Sequence, residues 1–250
     1  MHSMSASSLL ESIFKTKSVQ DAEGKTYPLK ANISQEEGKF LQELIKQDQK
    51  VNKTLEIGCA QGISALYICG TLAEREGSIH LLIDPNQSGK WKNIGVSNLY
   101  RAKITKFKLI EAGSELVLPQ LLLAEEYSYD LIFIDGLHTF DQVMLDLYYA
   151  NRLLRVGGYL VIDDCSWFTV AKALSYFVQY PAYKLIGQTK ITSPLRRFGK
   201  TLTSLLPWRA WQYLLSVKLY NLALRTKFGG MVALQKTALD ERDGFWFAEI

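Results

Sequence analysis

The segment Leu55-Glu56-Ile57-Gly58-Cys59-Ala60-Gln61-Gly62 constrains the fold more than any other part of the chain. It predicts a short apolar strand, a turn with two glycines and a helix from Ile63 onward. Glycine lets the backbone leave a strand sharply and approach a ligand closely, because it lacks a Cβ. The unpaired N–H groups of the following helix would face a ligand above the turn. This is typical of a nucleotide-type cofactor loop at the carboxyl edge of a parallel sheet, although a purely structural turn is the alternative. A dinucleotide loop would need a third glycine.

Beyond this segment, short apolar strands alternate with longer stretches of helical periodicity. The alternation predicts a parallel sheet with helices on both faces. We expect strands at 54–57, 79–83, 107–110, 131–134, 159–162, 183–187 and 231–236, and helices at 64–74, 91–101, 115–124, 140–154 and 168–178. The predicted fold is an α/β fold of the Rossmann-like, doubly wound type. Its seven-stranded sheet is mostly parallel, and its last strand is antiparallel.

The length of 250 residues favours one domain with insertions over two domains. Residues 1–33 are expected to form an N-terminal leader with one short helix near 8–17, and residues 34–250 a single domain. A capping box at Ser34–Glu37 predicts the start of the first helix of that domain. The pair Gly157-Gly158 is interpreted as the cap that ends a helix before the strand at 159–162.

Residues 191–228 interrupt this pattern with apolar residues at helical spacing among basic ones. From Lys190 to Lys227 the chain has eight Lys or Arg residues and no Asp or Glu. The rest of the chain carries 21 basic and 25 acidic residues, a net charge of −4. We interpret 191–228 as a helical insertion before the last strand. The insertion could form a lid over the acceptor, a homo-oligomer contact or a peripheral contact with anionic lipid. Alternatively, its apolar stripe is simply part of the core and its basic face is solvated.

The bulk composition excludes several classes of protein. With 48% hydrophobic and 22% charged residues, the chain is an ordinary globular one. The three cysteines, Cys59, Cys69 and Cys165, lie in apolar contexts and are expected to be reduced and buried. No signal-peptide pattern and no run of 18 apolar residues is present, so we expect a cytoplasmic protein. A net charge of +4 without a nucleic-acid-reading motif predicts no nucleic-acid partner.

Acidic side chains follow three of the predicted strands, where ligands of open α/β sheets bind. Asp84 ends the second strand, Asp135 the fourth, and Asp163-Asp164 the fifth. Asp84 is placed to accept the two hydroxyls of a cofactor ribose. Alternatively it begins the turn Asp84-Pro85-Asn86, and the two roles are compatible.

Three carboxylates would converge at one sheet edge if the last two of these strands are neighbours, since neighbouring strands lie about 4.8 Å apart. A divalent cation would relieve their repulsion, and all-oxygen ligation suits Mg²⁺. His138 follows Asp135 by about one helical turn and can face the same cleft. The structural alternatives are a helix cap for Asp135, a surface turn for Asp164 and a structural histidine for His138. We interpret the group as a metal site.

Taken in this order, the motifs resemble those of class I S-adenosylmethionine-dependent methyltransferases, and among them the metal-dependent O-methyltransferases of the catechol and macrolide-sugar types. The resemblance covers about residues 34–178. Residues 55–62 match the cofactor loop and Asp84 the ribose-binding acid. Residues 112–121 resemble the catechol-type segment whose serine, here Ser114, lies against the adenine. The metal-ligand positions of the family fall on Asp135, Asp163 and Asp164.

The resemblance implies S-adenosylmethionine and Mg²⁺, or another divalent cation, as cofactors. Where catechol enzymes carry Asp-Asn, this chain has Asp163-Asp164. In this pair, and in the run 135–138, the chain is closer to the macrolide-sugar enzymes. Their matching histidine implies that His138 is the general base, with Asp135 as the second catalytic residue. Glu56 is expected to orient the loop or to contact the methionine amino group. The implied cofactor-binding residues are Glu56, Gly58, Gly62, Asp84, Ser114 and Asp135.

The expected activity is transfer of a methyl group from S-adenosylmethionine to a hydroxyl of a small molecule. The acceptor is a sugar or polyol of a secondary metabolite or glycan, or a catechol-like phenol. A cation lowers the pKa of a bound hydroxyl, and imidazole can accept its proton near neutral pH. The alternative is a catalytically inactive methyltransferase-fold protein that acts as a membrane-peripheral or assembly module through 191–228. The clustered acids argue against that alternative, because a scaffold has no need of them.

Overall fold

A computed structural model describes residues 4–190 and 227–242 of the chain. The helices are α1 (Ala6–Thr16), α2 (Gln35–Gln47), α3 (Ile63–Leu72), α4 (Ile94–Arg101), α5 (Ser114–Glu125), α6 (Phe140–Leu153) and α7 (Phe168–Phe177). The strands are β1 (Ser18–Gln20), β2 (Thr26–Pro28), β3 (Lys53–Ile57), β4 (Ile79–Ile83), β5 (Phe107–Ile110), β6 (Tyr129–Ile134), β7 (Leu154–Ile162), β8 (Tyr183–Gln188) and β9 (Val232–Lys236).

Seven of these strands form one sheet in the order β5–β4–β3–β6–β7–β9–β8. Strands β3 to β7 pair in parallel, and β9 is antiparallel to both of its neighbours, β7 and β8. The predicted α/β fold, with a mostly parallel seven-stranded sheet and an antiparallel last strand, is confirmed. The strand order reverses between β3 and β6, and this reversal places a crevice at their carboxyl ends.

Helices cover both faces of the sheet, as a parallel sheet requires. The buried hydrophobic residues form two cores. Helices α1 to α4 pack in one of them, and α5 to α7 pack in the other. The inner strands β3, β4 and β9 are mostly buried and all six residues of β6 are, whereas the edge strands β5 and β8 are partly exposed. The predicted burial of the three cysteines is also confirmed, since Cys59, Cys69 and Cys165 are free thiols in the interior.

The N-terminal residues pack against the rest of the domain. Helix α1 confirms the short helix expected near 8–17, and it buries Leu9, Leu10, Ile13 and Phe14. Strands β1 and β2 follow as an antiparallel hairpin. The capping box at the start of α2 is present, with Ser34 and Glu37 each accepting a hydrogen bond from the backbone of the other. The division of the chain at residue 33 stays a prediction.

The interpretation of Gly157-Gly158 as a helix cap is wrong. Helix α6 ends at Leu153, and both glycines lie inside β7. The pairing of β7 with β6 shifts register between Leu154 and Tyr159, so the glycines serve a bulge. Gly157 has a φ of +83°, and a Cβ on Gly158 would lie 2.9 Å from the carbonyl oxygen of Asp130. The helix predicted from residue 91 also begins later, at Ile94.

The predicted insertion at 191–228 lies outside the described residues except for Lys227 and Phe228. The described strands on either side of it, β8 and β9, are neighbours in the sheet. Within the described parts of the chain, no helix has the length and apolar character needed to cross a membrane.

Candidate active site

A cavity of about 740 Å³ lies at the carboxyl ends of β3, β4, β6 and β7. Its volume falls within the range of small-molecule sites. The loop after β3, the turn after β4 and the first residues of α5 form one part of its wall. The segments that follow β6 and β7 form another, and Ala31, Asn32 and Glu37 close it on the N-terminal side.

Gly58 allows the cofactor loop and the end of β6 to lie against each other. Its φ is +93°, and a Cβ at this position would lie 2.0 Å from the carbonyl oxygen of Asp135. The Gly58 N–H donates to the carbonyl of Ile83 at 2.8 Å, and the Asp135 N–H donates to that of Ile57 at 2.9 Å. Only glycine satisfies both the dihedral angle and the contact, so Gly58 fixes the distance between the loop and Asp135.

Gly62 has a structural position outside the cavity lining. It is the N-cap of α3 in the left-handed conformation, with a φ of +75°. A Cβ here would lie 2.8 Å from the Cα of Gly95, so Gly62 lets α4 pack against the loop. Its predicted contact with the cofactor stays a prediction.

Glu56 is completely buried beneath the loop and does not line the cavity. One carboxylate oxygen accepts from the hydroxyl of Ser64 in α3, and the other is paired with Nε2 of His80 at 2.8 Å. The Nδ1 of His80 lies 2.8 Å from Oγ1 of Thr54. Of the two roles expected for Glu56, the structure supports loop orientation, because both of its oxygens are engaged away from the cavity.

Asp84 lines the cavity and holds the loop in place. Its Oδ2 accepts from the backbone N–H groups of Cys59 at 3.1 Å and Ala60 at 2.7 Å. Its Oδ1 accepts from the N–H of Asn86 at 2.8 Å, which confirms the predicted turn. Because these bonds use both oxygens, Asp84 links the end of β4 to the cofactor loop.

Ser114 lies at the start of α5 and lines the cavity. Its hydroxyl donates to Oδ1 of Asp146 at 2.6 Å and accepts from Nε2 of Gln142 at 2.8 Å. The other oxygen of Asp146, Oδ2, is buried without a hydrogen-bond partner. Burial raises the pKa of Asp146 to about 6. Ser114 therefore lines the cavity while its hydroxyl is held from behind.

Asp135, His138 and Asp164 form a cluster at the ends of β6 and β7. Each offers one ligand atom, and these atoms all lie within 4.8 Å of one another. Nε2 of His138 lies 3.4 Å from Oδ1 of Asp135 and 3.3 Å from Oδ2 of Asp164. The Asp135 side chain is 20% exposed and that of Asp164 37%, so the cluster opens into the cavity.

The titration behaviour of the cluster reflects burial and crowded negative charge. Burial raises the pKa of Asp135 to about 6, although hydrogen bonding to His138 acts in the opposite direction. The Asp135 carboxylate in turn raises the pKa of His138. Burial, together with the charge of Asp135 and Glu37, raises the pKa of Asp163 well above its usual range. The site therefore has an excess of carboxylates that a cation would stabilise in the ionised form.

Asp163 and Glu37 lie beside the cluster without belonging to it. Both line the cavity, and Asp163 is only 7% exposed. Oε2 of Glu37 accepts from the N–H of Ser34 at 2.8 Å in the capping box. The predicted trio of Asp135, Asp163 and Asp164 thus shares one cavity, but the group of mutually close ligand atoms contains His138 in the place expected for Asp163.

Known protein families and structures contain the same arrangement of elements. Residues 55–165 match the family Methyltransf_24, described as a methyltransferase domain. This range includes the glycine loop, Asp84, Ser114 and all of the strand-end acids. No curated protein sequence matches the chain. This chain carries a methyltransferase domain with the class I, Rossmann-like fold.

Solved structures show the same fold as this chain. The O-methyltransferase from Bacillus cereus, in complex with S-adenosylhomocysteine, is 22% identical with a TM-score of 0.59, and the match covers 73% of this chain and 84% of that one. TomG from Streptomyces achromogenes, an O-methyltransferase of tomaymycin synthesis in complex with S-adenosylmethionine, is 15% identical with a TM-score of 0.61, covering 93% and 89%. Cofactor-bound Rv0187 from MTB is 16% identical with a TM-score of 0.59, covering 92% and 89%.

Several residues that line the cavity are not among those predicted from the sequence. Trp167 is 51% exposed, and its ring centroid lies 5.2 Å from that of His138. Asn32 and Glu37 come from the N-terminal side, and Trp91 from the segment before α4. The capping box pointed to Glu37 only as a helix signal. No local pattern marks the others, because their placement depends on how distant segments pack.

Proposed function

We propose that this methyltransferase transfers the methyl group of S-adenosylmethionine to a hydroxyl oxygen of a small-molecule acceptor, assisted by a divalent cation. The observation that carries the proposal is a single cavity lined by two chemically distinct groups of residues. One group is the glycine loop with Asp84 and Ser114. The other is Asp135, His138 and Asp164, whose ligand atoms lie within 4.8 Å of one another.

The donor set fits a divalent cation. Carboxylate oxygens are the ligands that Mg²⁺ prefers, and burial raises the pKa values of Asp135 and Asp163, which a nearby cation would lower again. We assign Asp135, Asp163 and Asp164 as the residues that would hold the cation. When bound, such an ion lowers the pKa of an acceptor hydroxyl and fixes its position.

The residues of the chain would divide the remaining work. In the proposed reaction a bond forms between the acceptor oxygen and the methyl carbon as the carbon–sulfur bond breaks, which releases S-adenosylhomocysteine. The hydroxyl proton passes to Nε2 of His138. That atom faces Asp135 and Asp164, and their negative charge would stabilise the resulting imidazolium.

The surroundings of His138 favour a ring-shaped acceptor. The exposed Trp167 ring stands beside the imidazole and offers a flat apolar surface next to the acids. A sugar or polyol ring, or a catechol-like phenol, combines vicinal hydroxyls for the acids with an apolar face for Trp167. Contacts made by 191–228, with a second subunit or with a membrane, stay predictions, as does the cytoplasmic location.

Calorimetry with S-adenosylhomocysteine, with and without Mg²⁺ and EDTA, tests the two halves of the proposal. We expect binding of the nucleoside in both conditions and a separate Mg²⁺ binding event that EDTA removes. Asp135→Ala should abolish methyl transfer and Mg²⁺ binding while S-adenosylhomocysteine still binds. The control Glu76→Ala, at an exposed position before β4, should change neither. Full activity in saturating chelator would refute the role of the metal, and no nucleoside binding would favour the inactive-scaffold alternative.

His138→Gln separates a base from a ligand. If His138 is the base, the variant keeps Mg²⁺ affinity within about threefold while the rate falls about 10²–10⁴-fold. If His138 holds the ion instead of Asp163, Mg²⁺ affinity falls together with the rate. Titration of Mg²⁺ into His138→Gln and Asp163→Asn side by side distinguishes the two assignments.

A further inference from the structure

The side chain of Gln61 joins the cofactor loop to residues 28–33, which we name the N-terminal strap. Its Oε1 accepts from the N–H of Lys30 at 2.7 Å, and its Nε2 donates to the carbonyl of Pro28 at 3.1 Å. A carboxamide offers a donor and an acceptor in one plane, so Gln61 pairs with the strap much as a neighbouring β-strand would. Gln61 is only 4% exposed, and these two bonds are therefore shielded from water.

The strap carries part of the cavity wall. It continues from β2, and Ile33 at its far end is buried in the core. Between these anchors, Ala31 and Asn32 line the cavity. Ala31 has a φ of +46°, which residues with a Cβ rarely adopt and which persists only where the surroundings hold the backbone on both sides. Gln61 supplies the hold on one side and Ile33 on the other.

Gln61 is also fixed from the opposite direction. Its backbone carbonyl accepts from Nδ2 of Asn98 at 3.0 Å, and Asn98 in α4 is completely buried. Gly58 and Ala60, in the same loop, line the cavity that Ala31 and Asn32 line. Two walls of one cavity are thus joined by a side chain that does not itself line it.

We propose that Gln61 is a positioning residue for S-adenosylmethionine, and that the N-terminal strap is part of the cofactor site. Gln61 holds Ala31 and Asn32 against the loop before the cofactor arrives. Without it, cofactor binding has to include the ordering of the strap, which lowers affinity. This inference rests on the proposed function only in so far as the cavity binds S-adenosylmethionine.

The test uses S-adenosylhomocysteine alone as the probe, so that neither acceptor nor metal is needed. Calorimetry of the full chain is expected to give a Kd about tenfold higher for Gln61→Ala than for the unmodified protein, from the loss of two hydrogen bonds. Gln61→Met, which keeps the side-chain length without the hydrogen bonds, should show the same weakening. Gln235→Ala removes a glutamine that donates to Gly157 from the antiparallel strand β9 and should bind normally.

Amide hydrogen exchange over residues 28–33 gives a readout that a general loss of stability would not produce. In the unmodified protein we expect S-adenosylhomocysteine to slow exchange there, and in Gln61→Ala that protection should be reduced while α6 and β7 exchange as before. Unchanged affinity in both Gln61 variants, or a strap whose exchange ignores the nucleoside, would overturn the inference. If the unmodified protein fails to bind S-adenosylhomocysteine, the proposed function fails first.

Discussion

Replacing Gly58 by alanine tests whether the approach of the cofactor loop to β6 is what builds the site. The new Cβ would lie 2.0 Å from the carbonyl oxygen of Asp135, whereas real Cβ contacts are essentially never under 3.0 Å. The loop and the end of β6 must therefore separate by about 1 Å. One hydrogen bond, Asp135 N–H to Ile57, now joins the end of β6 to the start of the loop, and Gly58 N–H to Ile83 holds the loop to β4. The substitution thus disturbs the glycine loop and the cluster around Asp135 at once.

Gly77→Ala provides the matched control. Gly77 also has a positive φ, +70°, but a Cβ there meets nothing within 4 Å. It lies before β4, at the sheet edge opposite the cavity. Its substitution should lower the free energy of unfolding by about 1–2 kcal/mol, from the backbone conformation alone. Gly58→Ala carries the same cost plus up to two weakened hydrogen bonds at about 0.5–1.5 kcal/mol each, which gives about 2–5 kcal/mol in all.

Urea denaturation and calorimetry with S-adenosylhomocysteine measure the two effects. A misplacement of about 1 Å in a positioned site lowers the reaction rate on the order of a hundredfold, so we expect that loss of methyl transfer for Gly58→Ala, together with weaker binding of S-adenosylhomocysteine. Gly77→Ala should bind the nucleoside normally in spite of its lower stability. The reasoning is refuted if the two variants have the same unfolding free energy and the same affinity.

Two further predictions concern stability. Burial raises the pKa of Asp146 from 3.8 to about 6 on folding. The stability that the protonated carboxyl contributes is therefore present below pH 4 and is lost as pH rises through 6. Asp146→Asn cannot ionise, so its free energy of unfolding should increase relative to that of the unmodified protein as pH rises. Urea denaturation should show the variant gaining up to about 3 kcal/mol over the unmodified protein between pH 4 and 7, and a constant difference would contradict this. Ser34→Ala removes the capping-box oxygen of α2, and thermal unfolding should show a loss of about 1 kcal/mol while S-adenosylhomocysteine affinity stays the same; an unchanged melting temperature would count against the cap.

Local signals in the chain were sufficient for most of the fold. The alternation of short strands and helices defined the seven strands, because a parallel sheet buried on both faces needs continuous apolar runs. Asp84, Asp135 and the pair Asp163-Asp164 could be placed at one edge, since the carboxyl ends of parallel strands meet there. The error at Gly157-Gly158 has a physical reason: glycine suits a helix cap and a β-bulge equally well, and only the pairing with β6 decides between them.

The sequence by itself determined the α/β class, the loop glycine at Gly58 and the acids beyond the strands, because backbone dihedral angles and apolar periodicity are local properties. Tertiary structure alone decided which atoms meet. It put His138 rather than Asp163 among the mutually close ligand atoms, turned Glu56 away from the cavity, and brought Ala31, Asn32 and Trp167 into its wall. Contacts between residues distant in the chain depend on the packing of whole elements, and no local pattern encodes that packing.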